Sequence, residues 1–195
     1  MPESRARIAN AAAKARHIPV RTDADVLPAY RGTPIEQLLI NHNVRPVIKD
    51  GQGPSLVVAT CMDHRVNLRM PVSFAMLIRT AGANVEPLVF NVLAAMAVRD
   101  IRTVAVIGHS DCAMLDVERH RDKFIATATA LGTMTEAQAE KLFDRGASHF
   151  GFADFHEQVL SQCDYLHQVM PEALIAPLAF DVATGDLSQI VSPED

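Results

Sequence analysis

At 195 residues, with 49% hydrophobic and 21% charged, the chain has the length and balance of a soluble globular protein with one domain and a substantial core. A formal net charge of −5 argues against nucleic acid or an anionic membrane as the main partner and leaves room for a small uncharged substrate. No run approaches the ~20 apolar residues of a membrane helix, and three cysteines without framework spacing suit reduced thiols in a cytoplasmic protein.

Met1 to Arg21 is rich in Ala and Arg but lacks the apolar stretch of a secretory signal. Arg5 to Arg16 reads instead as an Ala-rich amphipathic helix, too thin in large apolar groups to build a core alone and suited to lie against another subunit. Pro19 and Pro28 break the chain into an extended connector. Residues 1–34 are therefore expected to be a helical arm with its connector, and residues 35–195 a single domain. Thr33-Pro-Ile-Glu36 is a helix start, with Thr as cap, Pro in the first turn and Glu following, and the short helix runs to about Asn43.

Asp50 to Pro54 is a turn that delivers the chain into Ser55–Thr60, an unbroken apolar run suited to a strand covered on both faces. A polar, basic loop from His64 to Pro71 precedes a second strand, Phe74–Ile78, which ends in Arg79-Thr-Ala-Gly-Ala83. Glu86 to Arg99 is a helix with apolar residues all round, expected to be deeply packed. The third strand, Thr103–Ile107, leads into Gly108-His-Ser-Asp-Cys112. Helices follow at about 113–131, 135–145 and 154–170, with Gly132 and Gly146 as breaks and Thr135 and Gln138 as a capping box. A fourth strand, Leu174–Asp181, and a turn at Thr184-Gly-Asp186 lead to a last short strand, Leu187–Val191, antiparallel to the fourth. The alternation predicts an α/β fold: a mainly parallel central sheet flanked by helices, with an N-terminal helical arm and a short C-terminal antiparallel strand.

In such sheets ligands bind beyond the carboxyl ends of the strands, where the Cys61, Arg79 and His109 segments all lie. Cys61, His109 and Cys112 together make a Cys2His set, and three such ligands with an open fourth place is the catalytic zinc arrangement. Asp63 and Arg65 share a side of an extended segment, so the guanidinium can fix the carboxylate and keep it ionised. Asp63 then has two mutually exclusive roles: accepting a hydrogen bond from a zinc-bound water, or serving as fourth ligand in a closed state. Cys163, mid-helix among Leu160, Leu166 and Val169, reads as a buried core thiol. His64 and His120 are candidates to move protons.

Cys61-x-Asp63-x-Arg65, Arg79-Thr-Ala-Gly82 and His109-x-x-Cys112 together resemble the pattern of the β-class carbonic anhydrases. The likeness runs from about Asp50 to Met114, with weaker agreement at Phe180–Leu187. It implies Zn2+ on Cys61, His109 and Cys112, Asp63 and Arg65 as a catalytic dyad, and zinc-bound hydroxide attacking carbon dioxide to give bicarbonate. It also implies a homodimer or higher homo-oligomer with the N-terminal helix on the partner. Gln52 matches a position where some members place a glutamine beside the substrate, and Met76 one where some place an aromatic wall. Gln52, Met76 and Gly82 are thus the substrate-side candidates, with Val66 and the Leu88–Leu93 stretch as further apolar walls. Thr80 stands where Asn is common, Ala113 where Gly is usual, and the loop from Arg65 to Arg79 is shorter than usual. Relatives with the same metal set hydrolyse carbonyl sulfide or carbon disulfide, and a non-catalytic zinc-binding dimeric sensor or scaffold is the reading from another class.

Overall fold

The two unbroken apolar runs become the central strands of a six-stranded sheet. The computed structural model describes residues 15–46 and 53–191. Its strands are β1 (Arg16–Pro19), β2 (Leu56–Cys61), β3 (Ala75–Thr80), β4 (Thr103–His109), β5 (Leu174–Phe180) and β6 (Leu187–Val191), arranged β1-β6-β5-β4-β2-β3. The pairs β2–β3, β2–β4 and β4–β5 are parallel, while β6 runs antiparallel to both β5 and β1. The helices are α1 (Pro34–Asn43), α2 (Val89–Arg99), α3 (Arg121–Ala130), α4 (Glu136–Phe150) and α5 (Phe155–Val169).

Alternate side chains of the central strands feed two cores. Leu56, Val58, Ala105 and Ile107 meet Ile35, Leu38 and Leu39 of α1 on one face. Val57, Ala59, Val104 and Val106 meet Val92 of α2 and Val159, Cys163 and Leu166 of α5 on the other. Every residue of β2 and β4 is buried, which explains why these strands read as continuous apolar runs rather than as alternation. Each of the three α1 side chains is fully buried, a contribution of about 1.5–3 kcal/mol apiece. Gly108 in β4 has no room for a side chain, because a Cβ there would run into Val159 and Phe155 of α5.

The caps form as the sequence implies. Thr33 accepts from the Ile35 amide, and Glu36 accepts from the Gly32 amide. Thr135 and Gln138 close a reciprocal capping box at the start of α4.

Four expectations are corrected. Arg16, the last residue of the expected first helix, begins β1, whose Pro19 sits at the end of an edge strand where its missing N–H costs no ladder bond. The rest of that helix, and most of the turn before β2, lie outside the described residues. Gly146 does not break a helix, since α4 runs through it to Phe150; a lone glycine costs a helix interior only about 1 kcal/mol. The expected helix at 113–131 is split: a 3-10 turn (Ala113–His120) kinked at Asp116 precedes α3. Finally, α2 is not packed all round. It buries Val92 and Ala95 but leaves Phe90 78% exposed, with Leu93 and Val98 also at the surface.

His42, near the end of α1, is a buried tie that sequence pattern does not reveal. Its Nε2 donates to the Gly185 carbonyl at 2.8 Å, and its Nδ1 accepts from the Arg69 amide at 3.0 Å. The bond that Nδ1 accepts needs the neutral ring, and burial lowers the pKa of His42. Stability from a depressed histidine is present above the unfolded-state value near 6.5 and is lost as pH falls through the folded value. His17, lowered by burial and by His156, adds a contribution of the same sign. Urea unfolding between pH 7.5 and pH 5 is therefore expected to show falling stability towards acid, with a shallower slope in His42→Gln. An unchanged slope in the variant would remove His42 as a source.

Candidate metal centre

β2 and β4 are neighbours in the sheet with Thr60 opposite Ile107, so Cys61 and His109 leave adjacent strand ends. The chain departs from these two strands in opposite directions, β2 towards β3 and β4 towards β5, which opens a crevice at their carboxyl ends. Cys112 follows His109 through a tight turn in which Asp111 takes a left-handed φ of 53°, and it caps the 3-10 turn after it. All three side chains are buried, and their ligand atoms lie within 4.8 Å of one another.

Two distances test whether this cluster fits a metal. The sulfurs of Cys61 and Cys112 are 3.9 Å apart, far beyond a disulfide bond and close to the ~3.8 Å edge of a tetrahedron with zinc–sulfur bonds of about 2.3 Å. His109 Nδ1 lies 2.9 Å from the Ser110 carbonyl, and with its proton donated there Nε2 keeps a free lone pair. That Nε2 is the one buried side-chain nitrogen or oxygen without a hydrogen-bond partner among the described residues. An orphaned acceptor beside two thiols is costly unless a cation or a proton sits there.

The electrostatics agree. The Cys112 thiol, the His109 ring and the amides of Asp63 and Gly82 outweigh burial and hold the Cys61 thiol well below its ordinary range. Cys112 is pushed well above it by the hydrogen bond to the Cys61 sulfur and by burial. Burial works against a charged His109, but the Cys61 sulfur outweighs it and the net shift is upward. The pair thus favours one sulfur in its charged form, and metal binding, which needs deprotonated thiols, suits such a pair.

Beyond Cys61 the chain turns through Met62 to Asp63. Arg65 grips the Asp63 carboxylate, with Nε 3.0 Å from Oδ1 and Nη2 2.8 Å from Oδ2, while the Arg65 amide adds a 2.9 Å bond to Oδ1. The guanidinium holds the Asp63 carboxyl far below the usual carboxylate range, so it is ionised at any working pH. Arg79 braces the same loop from β3, donating to the carbonyls of Cys61, Asp63 and Val66 at 3.1, 3.3 and 2.7 Å.

No protein-family model matches the chain, and no curated protein is similar to it in sequence. Solved structures are similar in fold. The β-carbonic anhydrase isoform I of Trichomonas vaginalis aligns with TM-score 0.60 at 20% identity over 75% of this chain and 88% of that one. A carbonic anhydrase from Glaciozyma antarctica aligns with TM-score 0.55 at 22% identity over 71% and 84%. The apo form of a carbon disulfide hydrolase aligns with TM-score 0.51 at 21% identity over 75% and 81%. The chain has the β-carbonic anhydrase fold.

Within this β-carbonic anhydrase fold the residues singled out from the sequence fall into three groups. Cys61, His109 and Cys112 form the cluster, and Asp63 and Arg65 are joined beside it. Gly82 adjoins it at φ 61°, its amide on the Cys61 sulfur, and a Cβ there would collide with Phe152 at 2.7 Å. Met76 is not brought to the cluster: it pairs with Val57, four residues before the level of Cys61 and Thr80, roughly 13 Å back along the strand. Val66 is buried in the core on the α1 side, and the α2 residue Leu93 is exposed. Gln52 lies outside the described residues. The His64 side chain is exposed, 3.8 Å from the Asp63 carboxylate.

Two features escape sequence reading, whereas Arg79 has the backbone-shaping place that its position at a strand end suggests, on three carbonyls. Asp111 holds the other edge of Arg65; its signal was an acid lodged between two candidate ligands. Phe152 and Phe155, with Gly82 and Gly108, close the inner side of His109 and Cys112, leaving a crevice too narrow for water. The side that carries Arg65 and Asp111 is the more exposed one.

Titrating the metal-free protein with cobalt(II) is expected to give thiolate-to-cobalt absorption that saturates at one ion per chain. Cys61→Ser should lose that absorption, and Cys163→Ser, whose thiol is buried in the core, should keep it. Undiminished bands in Cys61→Ser would place the metal elsewhere.

Proposed function

We propose that the protein is a zinc-dependent carbonic anhydrase-like lyase that reversibly hydrates carbon dioxide to bicarbonate. The observation that carries this is the fork of Arg65 on Asp63: it holds an ionised carboxylate next to three metal-type ligands without adding it to them. A purely structural site needs neither residue, which disfavours the sensor or scaffold.

Cys61, His109 and Cys112 are the residues that would hold the zinc ion. Bound there, it would supply a Lewis acid that lowers the pKa of a water molecule and makes it a nucleophile near neutral pH. Two thiolates make for a weaker acidifying centre than three imidazoles, so the orienting group matters more. Asp63 accepts a hydrogen bond from the attacking water and aims its lone pair at the substrate carbon. Arg65 keeps Asp63 charged and in place. The released proton passes to solvent, with His64 at the rim as a carrier.

The substrate is small and uncharged, in keeping with a net charge of −5. Carbonyl sulfide or carbon disulfide is the second reading, supported by the likeness in fold to a carbon disulfide hydrolase and by the same nucleophile serving both reactions. The exposed apolar face of α2 (Phe90, Leu93, Val98), beside β3 at the end of the described sheet, supports a homodimer. Three unlinked cysteines support the cytoplasm, where thiols stay reduced. No described helix is long and apolar enough to cross a membrane.

The test is stopped-flow carbon dioxide hydration at pH 7 and pH 9 on protein of known zinc content. Because Asp63 is ionised well below both values, turnover is expected at both, and Asp63→Ala should lower kcat by about 100-fold or more. Full zinc occupancy with no hydration at either pH would overturn the anhydrase reading; sulfide release from carbon disulfide by the same sample would establish the second.

A further inference from the structure

Arg65 is held on two edges by two different loops. Its Nε and Nη2 take the Asp63 carboxylate. Its Nη1 donates to Asp111 Oδ2 at 2.7 Å, and Nη2 also donates to the Asp111 backbone carbonyl at 2.8 Å. The planar guanidinium thus bridges the loop after β2 and the turn between His109 and Cys112, and its orientation is set by both.

Asp111 is an odd investment for a surface residue. Its carboxylate is 79% exposed, so the ion pair alone contributes little to stability. Its backbone adopts a left-handed φ of 53°, a region L residues other than Asn and Asp rarely enter. That turn is what aims both its carboxylate and its carbonyl at Arg65. The two acids do not compete for the guanidinium, since each occupies its own edge. With only the Asp63 fork, a side chain that is already 36% exposed is free to swing outward and take its hold on Asp63 with it.

Resting on the reading of Cys61, His109 and Cys112 as metal ligands, we propose that Asp111 is a positioning residue that acts through Arg65 to keep Asp63 off the metal and the fourth corner open. The decision between the two roles of Asp63 is thereby made from the opposite loop, by a residue that touches neither the metal nor Asp63.

The test follows Arg65 and the metal directly and needs no turnover. In the 15N-labelled protein, the Arg65 Nε–H signal is expected to exchange slowly with solvent, to be lost to fast exchange in Asp111→Ala, and to be partly retained in Asp111→Asn, whose amide oxygen still accepts a hydrogen bond. In the cobalt(II)-loaded protein, the d–d spectrum of Asp111→Ala is expected to shift towards that of Arg65→Ala, in which Asp63 is released. Adding Asp63→Asn to Asp111→Ala should return the spectrum to that of Asp63→Asn alone. A wild-type Nε–H signal and wild-type spectrum in Asp111→Ala would overturn the proposal, as would a spectral shift that persists once Asp63 is replaced. Should Asp111→Ala fail to fold, the Asn variant supplies the same comparison at smaller amplitude. Cobalt spectra that behave as expected in a protein without hydration activity would uphold this role while removing the anhydrase reading. Absence of cobalt bands in the wild type would overturn it together with the metal assignment.

Discussion

The parallel pairing of β2 with β4 is the constraint on which the Cys61, His109 and Cys112 cluster depends. Thr60 stands opposite Ile107, so Cys61 and His109 emerge from adjacent strands at nearly the same level. A slip of one residue in either strand would send every side chain to the other face, exchanging the α1 core for the α2 and α5 core and turning a ligand away. The register is held because both faces are buried: Leu56 and Val58 are committed to one core, Val57 and Ala59 to the other. Packing that looks merely structural therefore sets the geometry of the sulfurs and the imidazole. Gly108 belongs to the same device, since only a residue without a side chain lets Val159 and Phe155 of α5 close against the strand beside His109.

The cluster has a dry side and a wet side. Phe152, Phe155 and the two glycines seal the ligands from within, so burial raises the energy of any uncompensated charge there. On the outer side the charges are ordered in a chain: Asp63, Arg65, Asp111. The Cys112 thiol lowers the Cys61 pKa most, and amides of Asp63 and Gly82, from the loops after β2 and β3, add to it, so the surroundings of the sulfur favour its charged form. Arg79 reinforces this by fixing the carbonyls of Cys61, Asp63 and Val66. The loop after β2 is in this way tied to β3 by arginine.

The Cys61, His109 and Cys112 cluster and the Asp63–Arg65 ion pair were legible because the chemistry is rare and local: Cys61-x-Asp63-x-Arg65 and His109-x-x-Cys112 each follow an apolar run, and no packing need explains them. The strands themselves were legible for the same reason, as were the caps at Thr33 and Thr135, whose partners lie three residues away or nearer. Met76 shows where local reading stopped. The position suggested a wall, but pairing with Val57 sets it well back from the cluster. Arg16–Pro19 has no alternation and ends in proline, yet it pairs with β6, a strand more than 160 residues later. Its strand character comes from that partner.

By itself the sequence determined which residues have the chemistry to hold a metal, which runs are buried strands, where most helices begin, and that the last strand turns back on the fifth. These follow from side-chain type, hydrophobic period and capping chemistry, all of which act within a few residues. Only the tertiary structure decided what each of these meets. It left Phe90 and Val98 of an all-round apolar helix uncovered, carried α4 straight through Gly146, and gave Asp111 its hold on Arg65 from 46 residues away. Those outcomes depend on strand register and on which face finds a neighbour, and neither is encoded in any single stretch of chain.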